Sequence, residues 1–333
     1  MRSDSPSRTA AYMALFRALE SSRPADSRLF HDPLAVAFLD RRLRLAAVTA
    51  RLPIPGTLVP WYIDRRWPGP RPSGVVRTRA IDDAVREALV GGCAQLVILG
   101  AGYDTRAYRL PEAAAVETFE VDHPATQTAK RAALARALRT PSPQVHHVPV
   151  DFEHDSLASA LDAAGLERAV RTCVVWEGVF SYLTVDAIDA TLRWVVDACA
   201  PGSRLILTYV DAAALRPADH PAPWIAAVDR AGEPFVTGLD PSAAEEFFAA
   251  RGLQLLADAS TPELAERFGL RAASTIPGLY RVAVLGLSGR RLRSAPLVRA
   301  GGAPAAGGAG RRAWFGHGPR RVESTTWWWS GPG

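Results

Sequence analysis

Gln-Leu-Val-Ile-Leu-Gly-Ala-Gly-Tyr-Asp-Thr-Arg (residues 95–106) and Val-Glu-Thr-Phe-Glu-Val-Asp (residues 116–122) decide the fold of this chain. The first stretch is an apolar run that ends in Gly100 and Gly102, which is typical of a buried parallel strand entering a tight turn. Because glycine lacks a Cβ, the backbone there can approach a ligand closely. The second stretch ends in Asp122, where a carboxylate can accept hydrogen bonds from ribose hydroxyls. Together they predict a nucleoside-binding half-sheet.

The residues after the glycines indicate which nucleoside is bound. The third glycine of the dinucleotide pattern is missing, and Asp104 places negative charge where a phosphate-binding loop avoids it. A ligand with an adenosine, no phosphates and a positive centre fits better, and we predict S-adenosyl-L-methionine. Two alternatives stay open. One is a regulatory or scaffold protein that binds this ligand without turnover, and the other is a nicotinamide-dependent oxidoreductase.

Strand and helix patterns alternate from residue 95 onwards, which predicts an α/β fold with a doubly wound, mostly parallel, seven-stranded Rossmann-like sheet. Ligands of such sheets bind outside the carboxyl ends of the strands. The predicted strands are 95–99, 116–121, 145–149, 172–176, 203–210, 252–258 and 279–286. The predicted helices are about 104–110, 124–138, 155–164, 184–199, 223–231 and 240–250.

The chain divides into three parts by pattern. Residues 1–90 are predicted to form N-terminal helices and a lid segment that covers the active site. The helices are 8–22, a second beginning at Asp32-Pro33, and 75–90, while the Pro- and Gly-rich stretch 51–74 is predicted to be irregular. Residues 91–287 form the nucleoside-binding core. Residues 288–333 are rich in Gly, Ala, Arg and Pro and are predicted to be a disordered basic tail.

Composition argues against several functional classes. The net charge of +5 comes from residues 288–333, with eight arginines and one glutamate, so we expect no nucleic-acid partner. No apolar run approaches the roughly eighteen residues of a membrane helix, and no signal-like segment follows the polar start. We therefore expect a cytoplasmic protein without a membrane partner. The three cysteines lie far apart and no histidine pair has metal spacing, so we predict no metal.

Two further strand ends carry candidate ligand contacts. Asp151 and Phe152 follow the third strand, where an acid can accept from the adenine amine and an aromatic ring can lie on the base. Glu177 follows the fourth strand and is placed for the methionine ammonium group or for substrate, with Phe180 and Tyr182 shaping the pocket. The alternatives are a helix-capping role for the aspartate and a solvated loop position for the glutamate.

The methionine carboxylate needs a cation. We favour Arg79 over Arg77, both on the helix before the first strand, because an arginine fork can hold a carboxylate with two hydrogen bonds. Arg106 and Arg109 are weaker candidates, and each arginine could instead be solvated.

If the predicted S-adenosylmethionine donates its methyl group to an oxygen, the transfer is a direct displacement from sulfur, with alignment as the protein's main contribution. A carboxylate acceptor is already ionised at neutral pH and needs no base, whereas a hydroxyl needs one. The candidates for a catalytic base are His123, His154, Tyr209 and Asp211, and no residue is required in that role. Tyr182 is a further candidate for a catalytic contact. The sequence therefore inclines towards a carboxylate.

The chain resembles the leucine carboxyl methyltransferase family, in its bacterial branch of S-adenosylmethionine-dependent methyltransferases, over residues 7–287. The resemblance is carried by Phe-His-Asp-Pro-Leu-Ala (30–35), Arg-Thr-Arg-Ala-Ile-Asp (77–82), Gly-Ala-Gly-Tyr-Asp-Thr-Arg (100–106), Glu-Val-Asp-His-Pro (120–124) and Glu-Gly-Val-Phe-Ser-Tyr-Leu (177–183).

This resemblance implies a class I methyltransferase fold, S-adenosylmethionine as cofactor, and O-methylation of a small-molecule acceptor at a carboxylate or hydroxyl, as on polyketide-like metabolites. Other members methylate a protein C-terminal leucine. The family's cofactor contacts correspond to Arg79, Gly100, Asp122, Asp151, Phe152 and Glu177.

Overall fold

Seven strands form the sheet at the centre of the fold, and the computed structural model describes residues 8–138, 142, 144–152, 154–215, 235–270 and 276–287. The strands are β1 (Gln95–Leu99), β2 (Glu117–Asp122), β3 (Val145–Pro149), β4 (Thr172–Trp176), β5 (Arg204–Val210), β6 (Leu253–Ser260) and β7 (Tyr280–Leu287). Their order is β3-β2-β1-β4-β5-β7-β6, and β7 runs antiparallel to both of its neighbours. The predicted α/β architecture is confirmed, with each strand within two residues of its expected bounds.

Ten α-helices flank the sheet among the described residues. They are α1 (Arg8–Ser21), α2 (Arg41–Thr49), α3 (Pro53–Arg66), α4 (Pro70–Val90), α5 (Arg106–Arg109), α6 (Pro124–Ala137), α7 (Leu157–Ala163), α8 (Val185–Ala198), α9 (Ala244–Ala249) and α10 (Thr261–Arg267). The predicted helix 223–231 and the predicted disordered tail 288–333 lie outside the described residues. None of the described helices has the length and hydropathy needed to cross a bilayer.

The prediction of an irregular segment over 51–74 is wrong, because α3 and the beginning of α4 occupy it. Proline is tolerated in the first turn of a helix, where its missing N–H has no partner to lose. Pro53 and Pro70 stand at these positions in α3 and α4. Pro60 lies inside α3, whose neighbouring Val59 and Ile63 pack on an apolar cluster.

The helix predicted to begin at Asp32-Pro33 is instead a short 3-10 helix, Ala35–Phe38. Asp32 accepts from the backbone N–H groups of Leu34 and Ala35, at 3.1 Å each, through one oxygen. Its other oxygen accepts from Arg17 Nε at 2.8 Å and from the Thr105 hydroxyl at 2.7 Å. This carboxylate therefore joins three chain segments and is fully buried.

The N-terminal helices are fixed to the glycine turn by an apolar cluster that is separate from the sheet core. Tyr103, the residue after Gly102, inserts into this cluster and stacks on Phe38, with ring centroids 4.8 Å apart. Leu15 and Leu19 of α1 belong to the same cluster. Burial of these side chains holds α1 over the carboxyl ends of the strands.

A buried ion pair fixes α6 to β2. Lys130, the only lysine in the sequence, places its Nζ 2.8 Å from Glu120 Oε1, and both side chains are 1% exposed. The Tyr108 hydroxyl donates to the other oxygen of Glu120 at 3.3 Å. A charge pair at this depth is stable only because each partner neutralises the other.

Candidate cofactor-binding site

The turn after β1 has the geometry that a close ligand approach requires. Gly100 and Gly102 adopt φ values of +64° and +45°, a region that residues with a Cβ rarely enter. The Gly102 N–H donates to one carboxylate oxygen of Asp122, and the His123 N–H donates to the other at 2.6 Å. Burial raises the pKa of Asp122, partly offset by these two bonds. The turn and the end of β2 thus form one unit.

Replacing Gly100 with alanine tests how closely this turn is packed. A Cβ at Gly100 would lie 2.2 Å from Val179 Cγ2, whereas a Cβ at Gly165, also at positive φ, meets nothing within 4 Å. We expect Gly165→Ala to cost about 1–2 kcal/mol of unfolding free energy, from backbone strain alone. Gly100→Ala adds overpacking, for a total of about 3 kcal/mol. Urea denaturation measures both, and equal losses would contradict the packing argument.

A cavity of about 1490 Å³ opens above this turn, at the carboxyl ends of β1, β2 and β4. Single-ligand pockets are commonly about 300–1,000 Å³, so the cavity has room for two small molecules. Its floor carries the polar groups of the strand ends. Its opposite wall is largely apolar and comes from α1 and α3, including Met13, Phe16, Leu58, Val59 and Ile63.

Two buried polar atoms at the floor of the cavity lack a hydrogen-bond partner among the described residues. They are Glu177 Oε1 and Arg77 Nε, which lie 3.7 Å apart. The other oxygen of Glu177 accepts from Arg106 at 2.9 Å, and the Arg77 guanidinium lies 4.0 Å from the Tyr280 ring centroid. The two groups form a long ion pair without a hydrogen bond, so both atoms keep hydrogen-bonding capacity for a ligand that carries an ammonium and a carboxylate.

The structure does not bring Arg79, the favoured cation, to this cavity. Its Nε contacts Asp83 Oδ2 at 2.7 Å, and its Nη1 donates to the Leu29 carbonyl at 2.7 Å. Positions two apart on a helix point about 200° apart, so Arg77 and Arg79 face different sides of α4. A sequence signal existed, since Arg79, Asp83 and Arg86 repeat at helical spacing as one charged stripe, which is typical of a solvated face.

Comparing ligand affinity in the variants Arg77→Gln and Arg79→Gln tests which of the two arginines holds the ligand carboxylate. We expect Arg77→Gln to weaken S-adenosylhomocysteine binding about 30-fold, because a charged hydrogen bond to the ligand carboxylate is lost. Arg79→Gln should stay within about twofold, since Arg79 lies outside the cavity lining and its partly exposed ion pair with Asp83 contributes little. Isothermal titration calorimetry on both variants measures the difference, and a larger loss in Arg79→Gln would reverse the assignment.

A buried network of charges supports the floor of the cavity. Arg106, which is 2% exposed, contacts Asp82 at 2.8 Å, Glu177 at 2.9 Å and Asp104 at a shorter distance. Arg109 holds Asp82 with two bonds of 2.6 Å. Burial would raise the pKa of Asp104, but the neighbouring Arg106 and Lys130 lower it to about 2. Both arginines are therefore engaged within the protein, and Arg106 orients Glu177.

Comparison with known proteins agrees with this geometry. The sequence profile described as leucine carboxyl methyltransferase matches residues 10–196. The chain belongs to the leucine carboxyl methyltransferase family. Its relatives include provisionally named S-adenosyl-L-methionine-dependent methyltransferases of Frankia alni (37% identity, 60% of this chain and 67% of the relative), Streptomyces coelicolor (37%, 60% and 68%) and Mycobacterium avium (35%, 59% and 62%). The family resemblance is confirmed, and with it the class: an S-adenosylmethionine-dependent methyltransferase.

Two solved structures share the fold of this leucine carboxyl methyltransferase family member. One is a provisionally named methyltransferase from Thermobifida fusca, with a TM-score of 0.54, 18% identity, and coverage of 85% of this chain and 96% of that one. The other is a DUF574-family protein from Streptomyces avermitilis, with a TM-score of 0.52, 17% identity, and coverage of 81% and 96%. At this identity they confirm the fold.

The methyltransferase cavity includes the predicted adenine contacts. Asp151 and Phe152 line it after β3, together with His154. The His154 Nδ1 lies 2.9 Å from Asp151 Oδ2. Among the described residues, no group of three His, Cys, Asp or Glu side chains could hold a metal ion.

Of the catalytic candidates, the structure places Tyr182, His123 and His154 on the cavity wall, and Asp211 outside its lining. His123 caps α6, and its Nδ1 accepts from the Ala125 N–H at 3.3 Å. Tyr209 lies outside the cavity lining, is fully buried, and donates to Asp258 at 2.5 Å. Tyr209 is therefore a core residue, and its burial raises the pKa of its hydroxyl well above the usual range. Phe180 is likewise in the core, packed on Trp176 at 5.5 Å, and does not shape the pocket.

Proposed function

We propose that the protein transfers the methyl group of S-adenosylmethionine to a carboxylate or hydroxyl oxygen of a largely apolar small molecule, such as a polyketide-like metabolite. One observation carries this proposal: Glu177 Oε1 and Arg77 Nε, which form an ion pair at 3.7 Å but no hydrogen bond, lie in the same cavity as an apolar wall. The polar floor suits the cofactor, and the apolar wall suits a second ligand. The family description, which names a carboxyl acceptor, supports oxygen as the target.

Each residue of the cavity floor would contact a different part of the cofactor. Glu177 would accept from the methionine ammonium, and Arg77 would donate to its carboxylate. Asp122 would accept from the ribose hydroxyls at the end of β2, with Asp151 and Phe152 beside the adenine. When bound, S-adenosylmethionine supplies an electrophilic methyl group. The glycine turn itself lines the cavity, and its backbone carries no side chain at Gly100 or Gly102.

Residues 1–90 would cover the acceptor, and residues 91–287 would form the catalytic core. Support comes from α1 and α3, whose apolar side chains form the wall opposite the strand ends. These helices exclude water and orient the acceptor, so that its oxygen lies in line with the reacting bond. A carboxylate acceptor would need no base. For a hydroxyl acceptor, Tyr182, His123 and His154 are the candidates on the wall.

A cytoplasmic site of action fits the cysteines. Cys93, Cys173 and Cys199 are all free and buried, as is common where thiols stay reduced.

The test incubates the protein with S-adenosylmethionine labelled in its methyl group and a panel of aryl and long-chain carboxylic acids and phenols. We expect methyl label in an organic-extractable product. At a cofactor concentration below the weakened Kd, Arg77→Gln should strongly reduce this label, whereas Arg79→Gln should leave it unchanged. Mild alkali releases methanol from a methyl ester but not from an ether, so it reports which oxygen is methylated. Binding of S-adenosylhomocysteine with no transfer to any acceptor would favour a regulatory or scaffold role instead.

A further inference from the structure

Exposed apolar side chains concentrate on one part of the N-terminal region, residues 41–67, called here the α2–α3 surface. Eight of the thirteen exposed large hydrophobic residues in the described chain lie on it. Ile54 is 70% exposed, Leu45 65% and Trp61 60%. Such a concentration on one surface of a protein marks an interaction site. The eight are Leu45, Val48, Leu52, Ile54, Leu58, Trp61, Tyr62 and Trp67.

The spacing of these residues gives the surface a continuous apolar face. Ile54, Leu58 and Trp61 recur along α3 at intervals of four and three residues, so they share one side of the helix. None of the fourteen residues of α3 is buried. One side of the helix packs on the protein through Val59 and Ile63, and the other side has no partner among the described residues.

The α2–α3 surface also carries unneutralised positive charge. Its six arginines are all exposed, and none forms an ion pair with a described carboxylate. The one acid in the segment, Asp64, is held by Arg71 through a bond of 2.9 Å from Nε. The surface is therefore basic and apolar together. The six are Arg41, Arg42, Arg44, Arg51, Arg65 and Arg66.

We propose that the α2–α3 surface docks on an anionic lipid bilayer. Arginines beside exposed leucine, isoleucine, tryptophan and tyrosine are the combination that helices lying in a membrane interface use. A nucleic acid would be attracted by the arginines but would leave the apolar side chains in water, whereas lipid satisfies both. The sequence predicts no membrane partner because it lacks a spanning segment, but interfacial docking requires none.

The docking face includes the mouth of the cavity. Leu58, Tyr62, Arg66 and Trp67 belong to the α2–α3 surface and also line the cavity. The Arg66 guanidinium lies 5.1 Å from the Trp67 ring centroid. Docking would therefore place the mouth against the bilayer, so that an amphipathic acceptor could enter from the lipid. This last step rests on the proposed function, whereas docking does not.

Vesicle sedimentation of the full chain tests the docking without turnover. The probes are phosphatidylcholine vesicles with and without phosphatidylglycerol, at low and at high salt. We expect partitioning only onto the anionic vesicles, weakened by salt. A triple variant, Arg41→Gln/Arg42→Gln/Arg65→Gln, should lose on the order of 100-fold, because each arginine contributes about fivefold. A double variant, Ile54→Ser/Trp61→Ser, should lose about tenfold or more.

Matched controls lie on α8, where Val185 and Arg193 are exposed. Val185→Ser and Arg193→Gln should stay within about twofold of the unaltered chain. All variants should retain S-adenosylhomocysteine binding, which shows that they are folded. Wild-type partitioning in the triple and double variants would overturn the proposal, since another part of the chain would then carry the binding. A wild-type dimer that both variants dissociate, seen by light scattering, would also overturn it in favour of a second copy.

Discussion

Replacing Asp122 with asparagine is expected to weaken binding of S-adenosylmethionine and S-adenosylhomocysteine about 100-fold, because two charge-assisted hydrogen bonds to the ribose lose their anion. Asparagine keeps the shape of the side chain and one oxygen that can accept from the Gly102 N–H. The His123 N–H loses its acceptor, because the amide nitrogen replaces the second oxygen. The Gly102 contact is kept, so the turn should stay folded and the larger loss should appear in affinity. Calorimetric titration of both ligands measures it.

The control for this prediction lies on the same strand. Glu117 is the first residue of β2, at the amino end of the strand and therefore away from the cavity at the carboxyl ends. Its side chain is 54% exposed. Glu117→Gln removes one negative charge from the same strand and should leave affinity within about twofold. Equal effects of the two variants would mean that the net charge of β2, and not a ribose contact, governs binding.

Replacing Arg106 with leucine is expected to lower the free energy of unfolding by about 3–5 kcal/mol, because buried carboxylates lose their counter-ion. Asp104 loses its nearest cation, while Asp82 keeps Arg109. Total stabilities are about 5–15 kcal/mol, so this one change removes a large share. Urea denaturation followed by circular dichroism measures it.

Arg168→Leu provides the matched control, because Arg168 pairs with Asp162 at 2.7 Å but both side chains are more than 40% exposed. A surface pair of this kind contributes about 0–1 kcal/mol.

In the Arg106→Leu variant, Glu177 also loses the donor that holds its Oε2. Affinity for S-adenosylhomocysteine should therefore fall as well, which a purely structural role would not produce. Similar stability in the two variants would show that the buried network contributes little.

The sheet could be predicted from the sequence because its strands carry a strong local signal. β1 and β4 are buried at every position, and after a first polar residue, Gln95 or Thr172, each is a run of apolar residues. The helix α3 could not be predicted in this way, because its prolines and Gly56 are residues that favour loops. Its stability comes from packing of Val59 and Ile63 on a distant cluster, which a local pattern does not contain.

The candidate site could be predicted where the signal lay at a strand end. Gly100, Asp122 and Glu177 follow strands and reach one cavity. The choice between Arg77 and Arg79 requires the orientation of α4, which the stripe Arg79-Asp83-Arg86 indicates only when the helix is viewed around its axis. The network around Arg106 joins residues 24 and 71 positions apart, so only the folded chain reveals it.

The burial of Lys130 makes covalent labelling a direct reporter of unfolding. As this is the only lysine in the sequence and is 1% exposed, amine-reactive reagents find no accessible side-chain amine in the native protein. When β2 and α6 separate, the side-chain amine of Lys130 becomes available to the reagent. The mass spectrum of a briefly treated sample should therefore resolve two populations, differing by a single adduct, and their ratio counts the molecules in which the cofactor-binding half of the sheet has opened.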